Sequence, residues 1–277
     1  MTLVLAGCGA PFTASPSAAA PTHDAGAITV GVAAADFVAG TPRIPFVLFQ
    51  NDKPLVAVKS IQVAVFDLSA SAQTSTWTGA AVSYADYEIP YWVAYPQVPH
   101  GGPWGVGLLI TLADGGQTKG QFTVEVAPQA ASPDVGESPP ASRNRTLLTE
   151  PDISKLTSDP EPEPALYQLT VADALQSGRP TVITFATPAF CVSEICGPVV
   201  NTVKSVYHEI KSSVNFIHIE VYKSFDPLVY ADEMIEWNLD GEPWTFVLDK
   251  MGVVAARLGG PVSPRELKEA LALLVSP

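Results

Sequence analysis

Basic residues are scarce in this chain. Of 277 residues, 15 are Lys or Arg against 28 Asp or Glu, a net charge of −13. No basic stripe exists to displace phosphate counterions, which argues against a nucleic-acid binder. Long apolar runs are missing too, so no segment reads as a bilayer-spanning helix. The three cysteines are too few for a disulfide-stapled mini-fold or a four-cysteine zinc site. Phosphate loops, hydrolase elbows and metalloprotease helices are absent, and no cofactor and no metal is expected. What the chain does have is apolar material. At 47% hydrophobic it has enough for a core, which excludes wholesale disorder. Its length suits one large or two ordinary domains.

The first cysteine sits in Leu5-Ala6-Gly7-Cys8. After it, residues 9–27 are rich in Ala, Ser, Pro, Thr and Gly, with Asp24 as the one charged residue, a composition suited to a flexible tether. The tetrapeptide resembles a bacterial lipobox, at which a signal peptide is cut and the cysteine lipidated. That resemblance implies a membrane anchor at Cys8. The residues before it are few and none is basic, whereas a secretion signal has a basic start and roughly 7–15 apolar residues. The signal therefore reads as truncated. The alternative is a chance match in an alanine-rich chain.

Residues 28–127 read as all-β. Ile28–Ala33, Arg43–Phe49, Ile61–Asp67, Tyr91–Tyr95, Gly105–Thr111 and Gln121–Val126 are short runs rich in β-branched and aromatic residues. Turn formers separate them, as in Asn51-Asp-Lys-Pro54 and His100-Gly-Gly-Pro103. Such spacing predicts an immunoglobulin-like β-sandwich, with Trp104 in its packing. Residues 128–164 hold 8 prolines, 7 acidic and 3 basic side chains, and read as a stiff, extended, acidic linker. Its Leu147, Leu148, Ile153 and Leu156 are apolar enough to lie along a neighbouring domain.

From residue 165 the pattern changes to α/β. Thr170-Val-Ala-Asp173 reads as a capped helix start ended by Gly178. Thr181–Phe185 and Asn215–Val221 are strands, with a helix from Pro198 to about Lys211 between them. Asp226-Pro227 predicts a helix reaching Trp237. Pro243–Leu248 and Val253–Leu258 form a hairpin, and Ser263-Pro-Arg-Glu266 is a capping box opening the last helix. A short strand at Leu166–Leu169 is a further possibility. The domain is a compact α/β unit.

The other two cysteines lie between the first strand and the following helix, in Phe185-Ala-Thr-Pro-Ala-Phe-Cys191-Val-Ser-Glu-Ile-Cys196-Gly-Pro-Val. A strand, a loop with cysteine, then a proline-opened helix resembles the thioredoxin superfamily. Glu242-Pro243-Trp244 resembles the segment around that family's cis-proline. The whole pattern is similar to envelope lipoproteins carrying a thioredoxin-like domain. The resemblance implies thiol–disulfide exchange through Cys191 and Cys196, with Pro243 and Trp244 bordering the substrate. A thiolate is the nucleophile in such exchange, and a helix N-terminus stabilises it. Exported proteins with thiols or disulfides would be the partners, and the compartment would be extracytoplasmic. The Cys-x4-Cys spacing departs from the usual Cys-x-x-Cys, so nucleophile and resolver stay unassigned. Thr184 stands where the family buries an acid, and Glu194 would oppose thiolate formation. In regular helix, residues five apart are roughly 8–9 Å between Cα atoms, beyond the roughly 7 Å bridging limit. A Cys191–Cys196 bridge therefore needs a non-helical segment before Pro198. The alternative function is a redox-inert interaction module with a structural disulfide. A copper chaperone, using His218 or His208, is less favoured. Mid-strand His218 reads as a hydrogen-bonded structural residue, Asp232, Glu233 and Glu236 as a solvated helix face, and the Asn144 sequon as unused.

Overall fold

The computed structural model describes residues 28–70, 74–191 and 195–275. The lipobox, with Cys8, the tether, and Glu194 lie outside the described residues. The N-terminal half holds β1 (Ile28–Val32), β2 (Phe37–Val38), β3 (Ile44–Gln50), β4 (Lys53–Pro54), β5 (Val58–Asp67), β6 (Trp77–Ala80), β7 (Val82–Tyr84), β8 (Tyr91–Ala94), β9 (Gly102–Leu112) and β10 (Gln117–Ala127). They form two sheets, β1-β3-β8-β7 with β4 on β3, and β2-β10-β9-β5-β6. Alternation along β5 and β9 turns Ile61, Val63, Val65, Trp104, Val106, Leu108 and Ile110 inward against Ile44, Phe46 and Leu48. Trp104 is buried and donates its indole N–H to the His100 carbonyl at 3.2 Å, so it packs the core.

The C-terminal half is a four-stranded mixed sheet between helices. Its elements are α1 (Val171–Gln176), β11 (Thr181–Ala186), α2 (Cys196–Ile210), β12 (Asn215–Glu220), β13 (Tyr222–Phe225), β14 (Leu228–Tyr230), α3 (Asp232–Glu236), β15 (Trp244–Leu248), β16 (Val254–Gly259) and α4 (Pro264–Ala272). The sheet order is β12-β11-β15-β16, with β11 parallel to β12 and the remaining pairs antiparallel. Both faces are covered. Ile183, Phe185, Ile217, Ile219, Phe246 and Trp237 pack on the side of α1 and α3. Val182, Phe216 and Val247 meet Val203 and Val206 of α2 and Leu267 and Leu271 of α4. Thr170 and Ser263 cap α1 and α4 as their sequences imply, accepting from the Asp173 and Glu266 amides at 3.0 and 3.1 Å.

Two local expectations fail. The Asp226-Pro227 stretch does not open a helix. It is the cis turn of the β13–β14 hairpin, and the helix begins at Asp232. Asp-Pro satisfies helix-start chemistry and turn chemistry equally. The flanking Tyr222, Phe225 and Leu228-Val-Tyr230 decide for strand. Residues 164–167 form a 3-10 turn, not a strand, and Leu166 and Tyr167 are buried there.

Residues 128–164 run along the C-terminal half and exchange hydrogen bonds with it. Gly136 and Glu137 pair with Val254 across two backbone bonds of 2.9 Å. The Ser142 hydroxyl donates to Glu236 at 2.5 Å and accepts from the Trp237 indole at 3.0 Å. Asn144 is buried, accepting from the Val171 amide at 2.8 Å and donating to the Leu169 carbonyl at 3.2 Å. Leu156 is buried, Leu147 and Ile153 pack beside it, and Leu148 is exposed.

The two halves meet on a polar seam. Arg43, just before β3, forms a two-pronged ion pair with Glu266 of α4 at 2.6 and 2.7 Å, and these side chains are only 7% and 4% exposed. Arg43 also donates to the Gly259 and Pro261 carbonyls at 2.5 and 2.6 Å. The Tyr91 and Tyr95 hydroxyls donate to the same carboxylate, the latter at 3.2 Å. Burial works against the Arg43 charge, but Glu266 outweighs it and holds the guanidinium protonated. Burial, then Glu266, pushes the Tyr91 hydroxyl upward, so it stays a donor. Gly260 has a positive φ of 82°, and a Cβ there would collide with the Ala33 carbonyl oxygen of the sandwich.

Candidate functional site

β11 ends at Ala186, and the chain turns through Thr187-Pro-Ala-Phe190 before Cys191. Two hydrogen bonds and two ring contacts fix that turn. The Ala189 amide donates to the Ser158 hydroxyl at 3.1 Å, and the Phe190 amide to the Thr187 carbonyl at 3.3 Å. The Phe190 ring packs on Phe225 and Tyr222, with centroids 5.3 and 6.1 Å apart. Cys196 is the first residue of α2, whose N-terminus has no side-chain cap. The pair is bridged, with Cα atoms 6.0 Å apart. The bridge therefore spans a loop and a helix mouth, as the reach argument requires. Cys196 is buried with Ala186 and Val200, while Cys191 is part-exposed.

The Glu242-Pro243 bond is cis, and Pro243 is buried. It precedes β15, which lies next to β11 in the sheet. This brings a carboxylate oxygen of Glu242 within 4.8 Å of both sulfurs. Burial, and after it the negative charge of Glu220, raise the Glu242 carboxyl above the ordinary carboxylate range. Trp244 is buried, under the Arg257 guanidinium at 4.7 Å from its ring centroid. It is a wall of the site rather than an open platform.

The sandwich borders this region. The Tyr87 hydroxyl donates to the Ile195 carbonyl at 3.2 Å, and Tyr84, Tyr87 and Tyr91 pack with Val199 of α2. A groove of about 400 Å³ lies beside them, with Ala33, Val47, Phe49 and Ile89 on one wall and Ile195, Glu242 and Pro243 on the other.

Neither His218 nor His208 takes part. His218 is buried, with its ring nitrogens engaged by the Tyr167 hydroxyl at 2.7 Å and the Ala186 carbonyl at 3.1 Å. Burial pushes it down, so the ring is neutral. His208 is exposed and pairs with Glu163 at 3.3 Å. Neither supplies the ligand a copper site would need. While bridged, the cysteines offer no thiolate to a metal. Glu236, read as solvated, is exposed but anchors Ser142. Sequence reasoning missed Glu242, and its one signal was an acid directly before the site proline.

No known protein family's sequence pattern matches this chain, and no curated protein sequence does either. Solved structures give distant likenesses. A thioredoxin-family thiol:disulfide interchange protein from Chlorobium tepidum TLS is 17% identical over 39% of this chain and 86% of its own, with a TM-score of 0.32. CopC from Methylosinus trichosporium OB3b is 17% identical over 37% of this chain and 96% of its own, at 0.28. Murine CRIg is 11% identical over 38% and 99%, at 0.26. Scores this low carry no functional argument.

Proposed function

We propose that this chain is an extracytoplasmic thiol–disulfide exchange protein. In this reading residues 165–277 are a thioredoxin-like domain, residues 28–127 an immunoglobulin-like sandwich and residues 128–164 the connection between them. The chain is held to the membrane by lipid on Cys8 and acts on exported proteins with thiols or disulfides. No helix among the described residues is long and apolar enough to cross a membrane. A disulfide is consistent with an oxidising compartment.

One observation carries the reading: a disulfide joins a part-exposed loop cysteine to a buried cysteine at a helix mouth, beside a cis-proline segment. The sheet order β12-β11-β15-β16, with one parallel pair and a closing hairpin, supports the thioredoxin-like assignment. Burial also orders the chemistry. An incoming thiolate reaches Cys191. A bond forms between its sulfur and the Cys191 sulfur, the Cys191–Cys196 bond breaks, and the electron pair leaves on Cys196. The N-terminal end of the α2 dipole favours that thiolate, which makes Cys196 the better leaving group. In reverse, the Cys196 thiolate attacks Cys191 in the mixed disulfide and expels the partner's thiolate. The Pro243 backbone and the adjoining groove would align an extended segment of the partner.

The competing reading, a redox-inert module, draws on the full burial of Cys196. Trapping separates the two. Incubated with glutathione disulfide and a cysteine-containing peptide, the Cys196→Ser protein should hold a stable mixed disulfide at Cys191, seen by intact mass. Cys191→Ser should trap far less. Absence of an adduct on both variants would count for the inert module.

A further inference from the structure

We propose that Glu242 is the proton-transfer residue of the Cys191–Cys196 pair, delivering a proton to the Cys196 thiolate when the bridge opens and removing it when the bridge closes. The inference rests on the exchange reading above and adds a residue to it. Among the described residues, Glu242 is the ionisable group whose carboxylate comes within 4.8 Å of both sulfurs. One water, or a small rotation of the side chain, closes that distance to hydrogen-bond range.

Three other groups near the site, Glu220, His218 and Thr184, are already engaged. Glu220 accepts from the Ser158 amide and hydroxyl at 2.7 and 2.8 Å and from the Val221 amide at 3.1 Å. Both nitrogens of His218 are in hydrogen bonds. Thr184 shares a hydroxyl contact of 3.3 Å with Thr245 and has no proton to give near neutral pH. By contrast, what acts on the Glu242 carboxyl among the described residues is burial and the Glu220 charge, with no hydrogen bond. Groups with displaced ionisation gather where proton chemistry occurs. Burial shifts its ionisation toward the neutral form, the form that holds a proton to give.

The titratable groups around Glu242 come from several elements. Cys191 faces it from the loop, Cys196 from α2, Glu220 from the end of β12 and Tyr222 from β13. Asp240 of the same segment and Asp36 of the sandwich line the adjoining groove.

The steps balance. As a partner thiolate bonds to Cys191, the S–S bond breaks and Cys196 leaves as thiolate. It takes the Glu242 carboxyl proton, leaving a carboxylate. For closure, that carboxylate takes the proton back. The Cys196 thiolate then attacks Cys191, and the partner sulfur leaves with its electron pair. No further oxidant or reductant enters, because the partner is the redox couple.

The test uses the full chain with Glu242→Gln and Glu242→Asp. Two readouts are taken: thiolate absorbance of the chemically reduced protein against pH, and the rate of exchange with dithiothreitol against pH. In Glu242→Gln the Cys196 thiol should titrate at least about one pH unit lower, because a neighbouring negative charge is gone. Exchange near neutral pH should slow about 10- to 100-fold, and the profile should lose one ionisation. Glu242→Asp should restore that ionisation in part. An unshifted thiol titration with an unchanged rate profile would overturn the proposal. So would a shifted titration with an unchanged profile, since Glu242 would then act only as a charge. A wild-type protein that does not exchange at all removes the exchange reading with it, and the wild-type rate alone tells that failure apart.

Discussion

Glu266 and Glu242 lie on the same seam between the sandwich and the α/β half, and the protein treats the two carboxylates in opposite ways. Glu266 is only 4% exposed and is saturated by Arg43, Tyr91 and Tyr95. Glu242 is part-exposed, faces two sulfurs and has no comparable partner. A buried charge with every lone pair satisfied locks geometry. One left without partners is free to exchange a proton. The difference separates a structural carboxylate from a chemical one within a single interface.

That comparison breaks or sharpens under substitution. The largest effect falls on Glu266. Glu266→Ala strands the Arg43 guanidinium in the seam, and unfolding in urea should show a loss of about 3–5 kcal/mol. Replacing Arg43 and Glu266 together by leucine should cost markedly less, because no charge is then left buried alone. Equal losses in the single and double variants would refute the locking role.

A smaller effect concerns His218, which is chemically inert but senses pH. Its folded-state pKa is lowered by burial, so the unfolded chain binds the proton first as pH falls. Its contribution is complete above the ordinary histidine value of about 6.5 and is lost as pH drops below it, at up to about 1.4 kcal/mol per pH unit. Urea midpoints between pH 7 and 5 should fall for the wild type and flatten for His218→Gln. The same slope in both would assign the pH dependence elsewhere.

The smallest effect belongs to Glu242, and it has the opposite sign to that of Glu266. The raised carboxyl of Glu242 contributes stability while protonated and loses it as pH rises through its folded value. At neutral pH, Glu242→Gln should therefore match or stabilise the wild type, by at most about 1 kcal/mol, since solvent screens a part-exposed charge. Thermal melting measures it, and a clear destabilisation would make Glu242 structural.

Much of the α/β half was legible in the sequence because its cues are local. The caps Thr170 and Ser263 and the hairpin around Asp249–Gly252 are set by neighbours in the chain; α2, read as starting at Pro198, begins two residues earlier at Cys196. The cysteine pair and Pro243 followed from a short motif. What stayed hidden is tertiary. Ser263-Pro-Arg-Glu266 reads as a reciprocal capping box, but only half of it forms. The Ser263 amide donates to the Tyr91 hydroxyl at 2.8 Å instead, and the Glu266 carboxylate goes to Arg43, 223 positions away in the chain. Local spacing holds no information on that partner. Glu242 reaches the sulfurs because β15 pairs with β11, and only the folded sheet brings those segments together. For residues 128–164 the apolar Leu147, Ile153 and Leu156 pointed to packing along a neighbouring domain but not to which surface, and that surface is supplied by Val254, Val171 and Glu236.

The most direct measurement of the central claim is the reduction potential of the Cys191–Cys196 pair, by equilibration in dithiol/disulfide buffers with the redox state read by thiol alkylation and mass. An exchange protein should equilibrate with the buffer at a potential above about −300 mV. A potential below that value, the range of structural disulfides, would contradict the account.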